Sequence, residues 1–152
     1  MGLDMYLKRK QYIGANSKCH RITGTISLFR DGKAIPVDFS KISYIEYAGV
    51  YWRKAYQIHK WFVDNVQGGE DNCGTYNVYK EQLEQLVSLC REVLEDHSKA
   101  EELLPVQAGF FFGSCEYDHW YFEDLEQTVK DVMELLDVFD PQNDGFYYMS
   151  SW

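Results

Sequence analysis

The twelve residues from Tyr51 to Phe62, YWRKAYQIHKWF, hold five aromatics, three fixed cations and a histidine. Aromatic faces beside Arg53, Lys54 and Lys60 are a chemistry for planar anions: a ring stacks on the ligand while a cation pairs with its charge. Tyr51, Trp52, Arg53, Lys54, His59, Lys60 and Trp61 therefore form the first wall of a candidate ligand-binding site. Tyr117, Asp118, Trp120 and Tyr121 supply a second wall if their segment packs across the first. The competing reading of the same composition is a core helix with one wet edge. A closed ion-pair network would make the cations structural; unpaired cations would make them a site.

A second constellation, Glu116-Tyr117-Asp118-His119 with Glu123 and Asp124 beyond it, has the residue types for a divalent cation or an acid/base pair. Carboxylates around a helix start also answer the helix macrodipole without any catalysis. Cys115 and His119 stand four apart and Cys19 adjoins His20, whereas a zinc site takes four ligands at characteristic spacings. GxSxG, HExxH, GxGxxG and the phosphate-binding Gly-Lys-Ser/Thr loop are all absent. No catalytic or metal-binding residue is assigned, and no cofactor is expected. The four cysteines include no CxxC pair and fit reduced thiols, with Cys90 on an apolar helix face.

The formal charge of −9 is unevenly placed. Ten Lys/Arg meet four carboxylates through residue 54, a net +6, and five meet twenty beyond it, a net −15. A basic surface can receive phosphate, and an acidic one can engage a basic partner or mimic nucleic acid. Direct nucleic-acid binding is not expected of so acidic a chain, whereas a homo-oligomer fits. The opening MGLDMYLKRK lacks a signal-peptide hydrophobic stretch, and no apolar run approaches the ~18 residues of a membrane span. A cytoplasmic protein without a membrane partner is the expectation.

Hydrophobic period places the elements that must position these groups. Residues 2–9 alternate as a half-buried strand, and Gly24 to Phe39 reads as a hairpin turning at Asp31-Gly32. From about Lys41 a helical seam runs through Ile45, Ala48, Trp52, Ala55, His59, Phe62 and Val66, ending at Gly68-Gly69. Burial on that seam would lower the pKa of His59 unless Asp118 or Glu116 compensates. A second helix is expected over Lys80–His97 and a strand over Leu103–Gly113. A third helix follows over Asp118–Phe139, its seam Phe122, Leu125, Val129, Val132, Leu136 and Phe139, and FYYMSSW is a last strand. At 152 residues and 16% aromatic content, the chain predicts a single compact α+β domain over 1–152. A small, mostly antiparallel sheet packs against about three amphipathic helices.

The motifs MGLDMYL, YWRKA-x-x-IHKWFVDNVQ, KEQLEQL, FFFGSxEYDxWYFEDL and YYxSSW run through nearly the whole chain. Through them it resembles a family of small uncharacterised proteins recurring in bacteriophages, prophages and their hosts. Tyr56 stands where the resemblance implies Asn, and Tyr79 where it implies a helix-capping Ser. The resemblance implies a setting, counter-defence or host takeover in the host cytosol, and brings no catalytic residue or ligand with it. Joined to the aromatic–cation cluster, it points to a non-enzymatic protein sequestering a small anionic, nucleotide-like ligand. The alternative is an acidic inhibitor of a host defence nuclease, an anti-CRISPR-like mimic of nucleic acid. A third reading is an enzyme using Glu116, Asp118 and His119.

Overall fold

The computed structural model describes residues 2–14, 22–106 and 116–152. In chain order they form β1 (Asp4–Tyr12), the hairpin β2 (Leu28–Arg30) and β3 (Lys33–Ile35), β4 (Tyr44–Arg53) and α1 (Tyr56–Asn65). β5 (Thr75–Val78), α2 (Lys80–Glu95), α3 (Ala100–Leu103), α4 (His119–Asp137) and β6 (Asp144–Ser151) complete them. The main sheet has the order β4-β1-β6-β5 with every pairing antiparallel, so the fold is α+β as its pattern predicts.

Residue alternation on β1 decides which face of the sheet is covered. Leu3, Met5 and Leu7 are fully buried and share one core with Phe62, Leu83, Leu125 and Tyr148 from the helices and β6. Tyr6, Lys8 and Lys10 point to the opposite face. That face satisfies itself. Lys8 pairs with Glu46 at 2.8 Å, and the Tyr51 hydroxyl donates to Asp4 at 2.5 Å. Lys10 Nζ lies 4.7 Å from the Tyr44 ring centre and 4.5 Å from that of Tyr147, and the hydroxyls of Tyr12 and Tyr147 meet.

The expected helix from Lys41 is corrected by β4. Its residues Tyr44 to Arg53 pair along β1, and helix begins only at Tyr56. YIEYAGVYW is rich in β-branched and aromatic residues, and β1 needed a neighbour for its second row of backbone groups. Val50 and Trp52 alternate inward as strand residues, although Ala48 and Trp52 also step at helical spacing to Ala55 and His59. The expected strand over Leu103–Gly113 is replaced at its start by α3, and residues 107–113 lie outside the described residues. On α4 the buried seam is Tyr121, Leu125, Thr128, Val132 and Leu135, rotated from the one expected. Tyr121 and Thr128 look wet in sequence, yet each polar tip has a partner inside. Tyr121 Oη donates to Leu104 O at 2.8 Å, and Trp52 Nε1 donates to Thr128 Oγ1 at 2.8 Å.

Two glycines are dictated by different physics. Asp31 (φ 51°) and Gly32 (φ 74°) both turn left-handed, which joins β2 and β3 through the expected two-residue turn. Gly49 is the extra residue of a bulge, where β1 pairs Leu7 with Val50 but Lys8 with Ala48. A Cβ at Gly49 would overlap the Leu7 carbonyl oxygen, while one at Gly32 would meet nothing. Gly49→Ala should therefore cost about 2 kcal/mol or more through forced backbone displacement. Gly32→Val should cost about 1 kcal/mol through φ alone. Urea unfolding midpoints at constant m-value measure both.

Candidate functional site

The three cations of the aromatic cluster have different fates. Lys60 pairs with Asp64 at 2.6 Å one helical turn on, a solvated α1 pair. Arg53 and Lys54 are exposed and make no ion pair with any described residue. Both stand where β4 turns into α1. Lys54 holds φ 60°, its backbone N–H donating to Leu3 O at 2.9 Å and its carbonyl accepting from Tyr56 N at 3.1 Å. A left-handed lysine costs about 1–2 kcal/mol, and the corner keeps it because both flanking elements are fixed in the core.

Opposite this corner stands the first turn of α4. The two together enclose a cleft of about 340 Å³, within the ~300–1,000 Å³ usual for small-ligand sites. Its cationic side is Arg53 and Lys54, and its aromatic side is Trp120 and Tyr121. Trp120 is 70% exposed, its ring tilted against that of His119 at 5.6 Å between centres, whereas Tyr121 is buried. Three residues of the expected second wall, Asp118, Trp120 and Tyr121, thus share a cleft with two of the three cations, Arg53 and Lys54. Asp118 also lines the cleft, but its Oδ1 accepts the Tyr121 N–H at 3.1 Å as the N-cap of α4.

The rest of the predicted set lies elsewhere. Trp52, His59 and Trp61 are buried in the core, and Tyr51 stands on the open sheet face. Tyr117 packs edge-on to Tyr121 at 5.0 Å between ring centres, and its hydroxyl accepts from Val106 N at 3.4 Å. None of these five lines the cleft, and neither does Lys60. The Glu116–Asp118–His119 constellation is also divided, since His119 turns outward and meets Glu123 at 2.9 Å. Cys115, Cys19 and His20 lie outside the described residues. Among the described residues no three His, Cys, Asp or Glu side chains form a cluster able to hold a metal ion.

Gln57 belonged to no predicted site and Asp124 only to the carboxylate constellation, yet both line the cleft, as do Tyr56, Val106 and Glu116. Gln57 is 2% exposed; its Nε2 donates to Tyr121 O and to Asp124 Oδ2, each at 3.3 Å. Burial raises the Asp124 carboxyl to about 6, against the Gln57 amide, which favours the charged form. The neighbouring charges of Glu123 and Asp118 push the same way as burial. Asp124 follows Tyr121 by one helical turn, a signal that was available; nothing in the sequence tied Gln57 to it.

His59 shows how the core half of the cluster is spent. Its Nδ1 meets Tyr148 Oη at 2.8 Å and its Nε2 meets Asp71 Oδ1 at 3.1 Å, so the carboxylate beside it is neither Asp118 nor Glu116. Asp71 also accepts from Trp152 Nε1 at 3.2 Å. Burial holds the His59 pKa below its ordinary value, with Asp71 opposing. No family model, curated protein or solved structure matches this chain. What the chain does has to be argued from the cleft itself.

Two outcomes follow from this geometry. With its folded pKa depressed, His59 contributes stability that is complete above its unfolded pKa of ~6.5 and is lost as pH falls through it. Asp124, with its pKa raised, runs the opposite way below about 6. The His59 contribution is thus read cleanly only as the difference between parent and His59→Gln, in unfolding free energy between pH 7.5 and 5. An NMR titration of Asp71→Asn should place His59 lower still than in the parent, because the compensating carboxylate is gone. The second outcome concerns the corner. Lys54→Gly should raise stability by up to about 1 kcal/mol by relieving the left-handed backbone, measured by urea unfolding.

Proposed function

We propose that this chain is a non-enzymatic binding protein that takes up a small anionic, nucleotide-like ligand in the cleft between the β4–α1 corner and α4. One observation carries the reading: Arg53 and Lys54, without ion-pair partners among the described residues, share a cleft with the largely exposed ring of Trp120. Fixed cations give an anionic group charge-assisted hydrogen bonds, and an indole face gives a planar group stacking. With the motif resemblance to phage and prophage proteins, the role we assign is counter-defence, removal of a nucleotide signal in the cytosol of an infected host. Among the described residues no helix is long and apolar enough to cross a membrane.

The alternative is an acidic inhibitor of a defence nuclease, and it draws on the exposed carboxylates Glu126, Glu134 and Asp137 of α4. The two readings part by position. Isothermal titration against a panel of mono-, di- and cyclic nucleotides tests the first. Arg53→Ala should cost roughly 1.5–3 kcal/mol of binding, the range for hydrogen bonds to charged groups, with the fold intact because Arg53 lies outside the core. Trp120→Ala should cost roughly 1–3 kcal/mol through lost stacking. Lys60→Ala should change nothing, since Lys60 does not line the cleft. Charge reversal on α4 that abolishes biological effect while Arg53→Ala leaves it intact would establish the inhibitor instead.

A further inference from the structure

The cleft has a second polar end, and it is built for hydrogen-bond donors. Gln57 and Asp124 both line it, and the Gln57 amide ties them together through its Nε2 at 3.3 Å from Asp124 Oδ2. That bond fixes the roles of the remaining atoms. With Nε2 already donating to Tyr121 O and Asp124, the free atom of the Gln57 amide is its carbonyl oxygen. Asp124 keeps Oδ1, which has no hydrogen-bond partner among the described residues. Two acceptor atoms therefore remain on side chains that bond to each other and line the cleft, a glutamine almost wholly buried and a carboxylate partly so. Neither has a cation paired with it among the described residues. An ionised carboxylate so placed is satisfied by N–H donors from whatever fills the cleft.

Nucleobases differ in the pattern they offer such a pair. The Watson–Crick edge of guanine carries two adjacent donors, N1–H and the N2 amino group. Adenine sets an acceptor beside its amino group, and cytosine and uracil alternate or oppose donors with acceptors. We infer that the ligand is a guanine nucleotide, its N1–H and N2 amino group donating to Asp124 and Gln57, its ring against Trp120 and its phosphate toward Arg53 and Lys54. This assignment rests on the sequestration reading and names the ligand class for that same cleft. With its carboxyl raised to about 6, Asp124 is largely ionised at pH 7.5, and both its oxygens then accept, one from Gln57 and one from the ligand.

Titration calorimetry at pH 7.5 with guanosine, inosine and adenosine 5′-monophosphates separates the two levels of the argument. Inosine keeps N1–H and lacks only the N2 amino group. GMP should bind at least tenfold more tightly than IMP, and IMP more tightly than AMP. Asp124→Asn should erase the preference for GMP, because an amide offers one acceptor and one donor. Arg53→Ala should weaken all three nucleotides alike. Equal binding of the three, still lost in Arg53→Ala, would overturn the guanine assignment and leave the sequestration reading standing. Binding of none of them, or binding indifferent to Arg53→Ala, would overturn both. The comparison of GMP with IMP uses the parent protein alone, so a fold defect in Asp124→Asn could not disguise the result.

Discussion

β1 runs through the sheet with a partner on each side, and its register cannot move by one residue without turning Leu3, Met5 and Leu7 to water. Each of those side chains is worth about 1.5–3 kcal/mol when buried, so the slipped arrangement is out of reach of a marginally stable domain. The same constraint decides where β4 ends. Once Asp4 is paired with Arg53, the Lys54 N–H reaches Leu3 O and the chain must turn. It must turn sharply, because Ala55, Ile58 and Phe62 are required in the core directly afterwards. The left-handed Lys54 is the residue caught between these two demands.

The helix layer is held to the sheet by aromatic contacts with polar locks at their rims. Phe62 stacks on Tyr148 at 3.8 Å between ring centres, and Tyr148 Oη in turn meets His59. α4 is tied to β4 by the bond from Trp52 to Thr128. At the far end of β1, Arg9 pairs with Asp144 at 2.7 Å, and both side chains are nearly or fully buried. Arg9 Nε and Asp144 Oδ1 find no hydrogen-bond partner among the described residues. Such a pair adds little net stability, but loss of either member would strand a buried charge. It fixes how the end of α4 meets β1 and β6, since Arg9 also reaches the Val138 carbonyl at 3.4 Å.

These locks make the cleft a by-product of packing that no local rule would build. α1 is pressed onto the sheet by Ile58 and Phe62, and α4 by Leu125 and Val132, all fully buried. What remains between the β4–α1 corner and the first turn of α4 is a space whose walls cannot approach further. The charged lining reflects this. Arg53 and Lys54 enter from the sheet side, Glu116, Asp118 and Asp124 from the helix side, and among the described residues no ion pair joins the two sets, while the neutral amide of Gln57 bonds to Asp124. Opposite charges held apart in one cavity leave room for a ligand that carries an anion at one end and donors at the other.

From the amino-acid sequence alone came the fold class, the β1 alternation, the Asp31-Gly32 turn and most of α2, and the Asp118–Tyr121 segment was marked as a conditional second wall for the cations. These depend on short-range period, on turn chemistry and on a gross excess of cations and aromatics, all of which are local. β4 was hidden because Trp52 serves two periods at once, alternating with Val50 as a strand and stepping near 3.6 with Ala48, Ala55 and His59. Only the unpaired backbone of β1 breaks that tie. Tertiary structure likewise decided that His59, Trp52 and Trp61 would be spent on the core and Lys60 on Asp64, leaving two cations for the cleft. Gln57 and Asp124 became neighbours only because α1 and α4 pack against the same sheet: contact between residues 67 apart is a property of packing, and no periodicity encodes it.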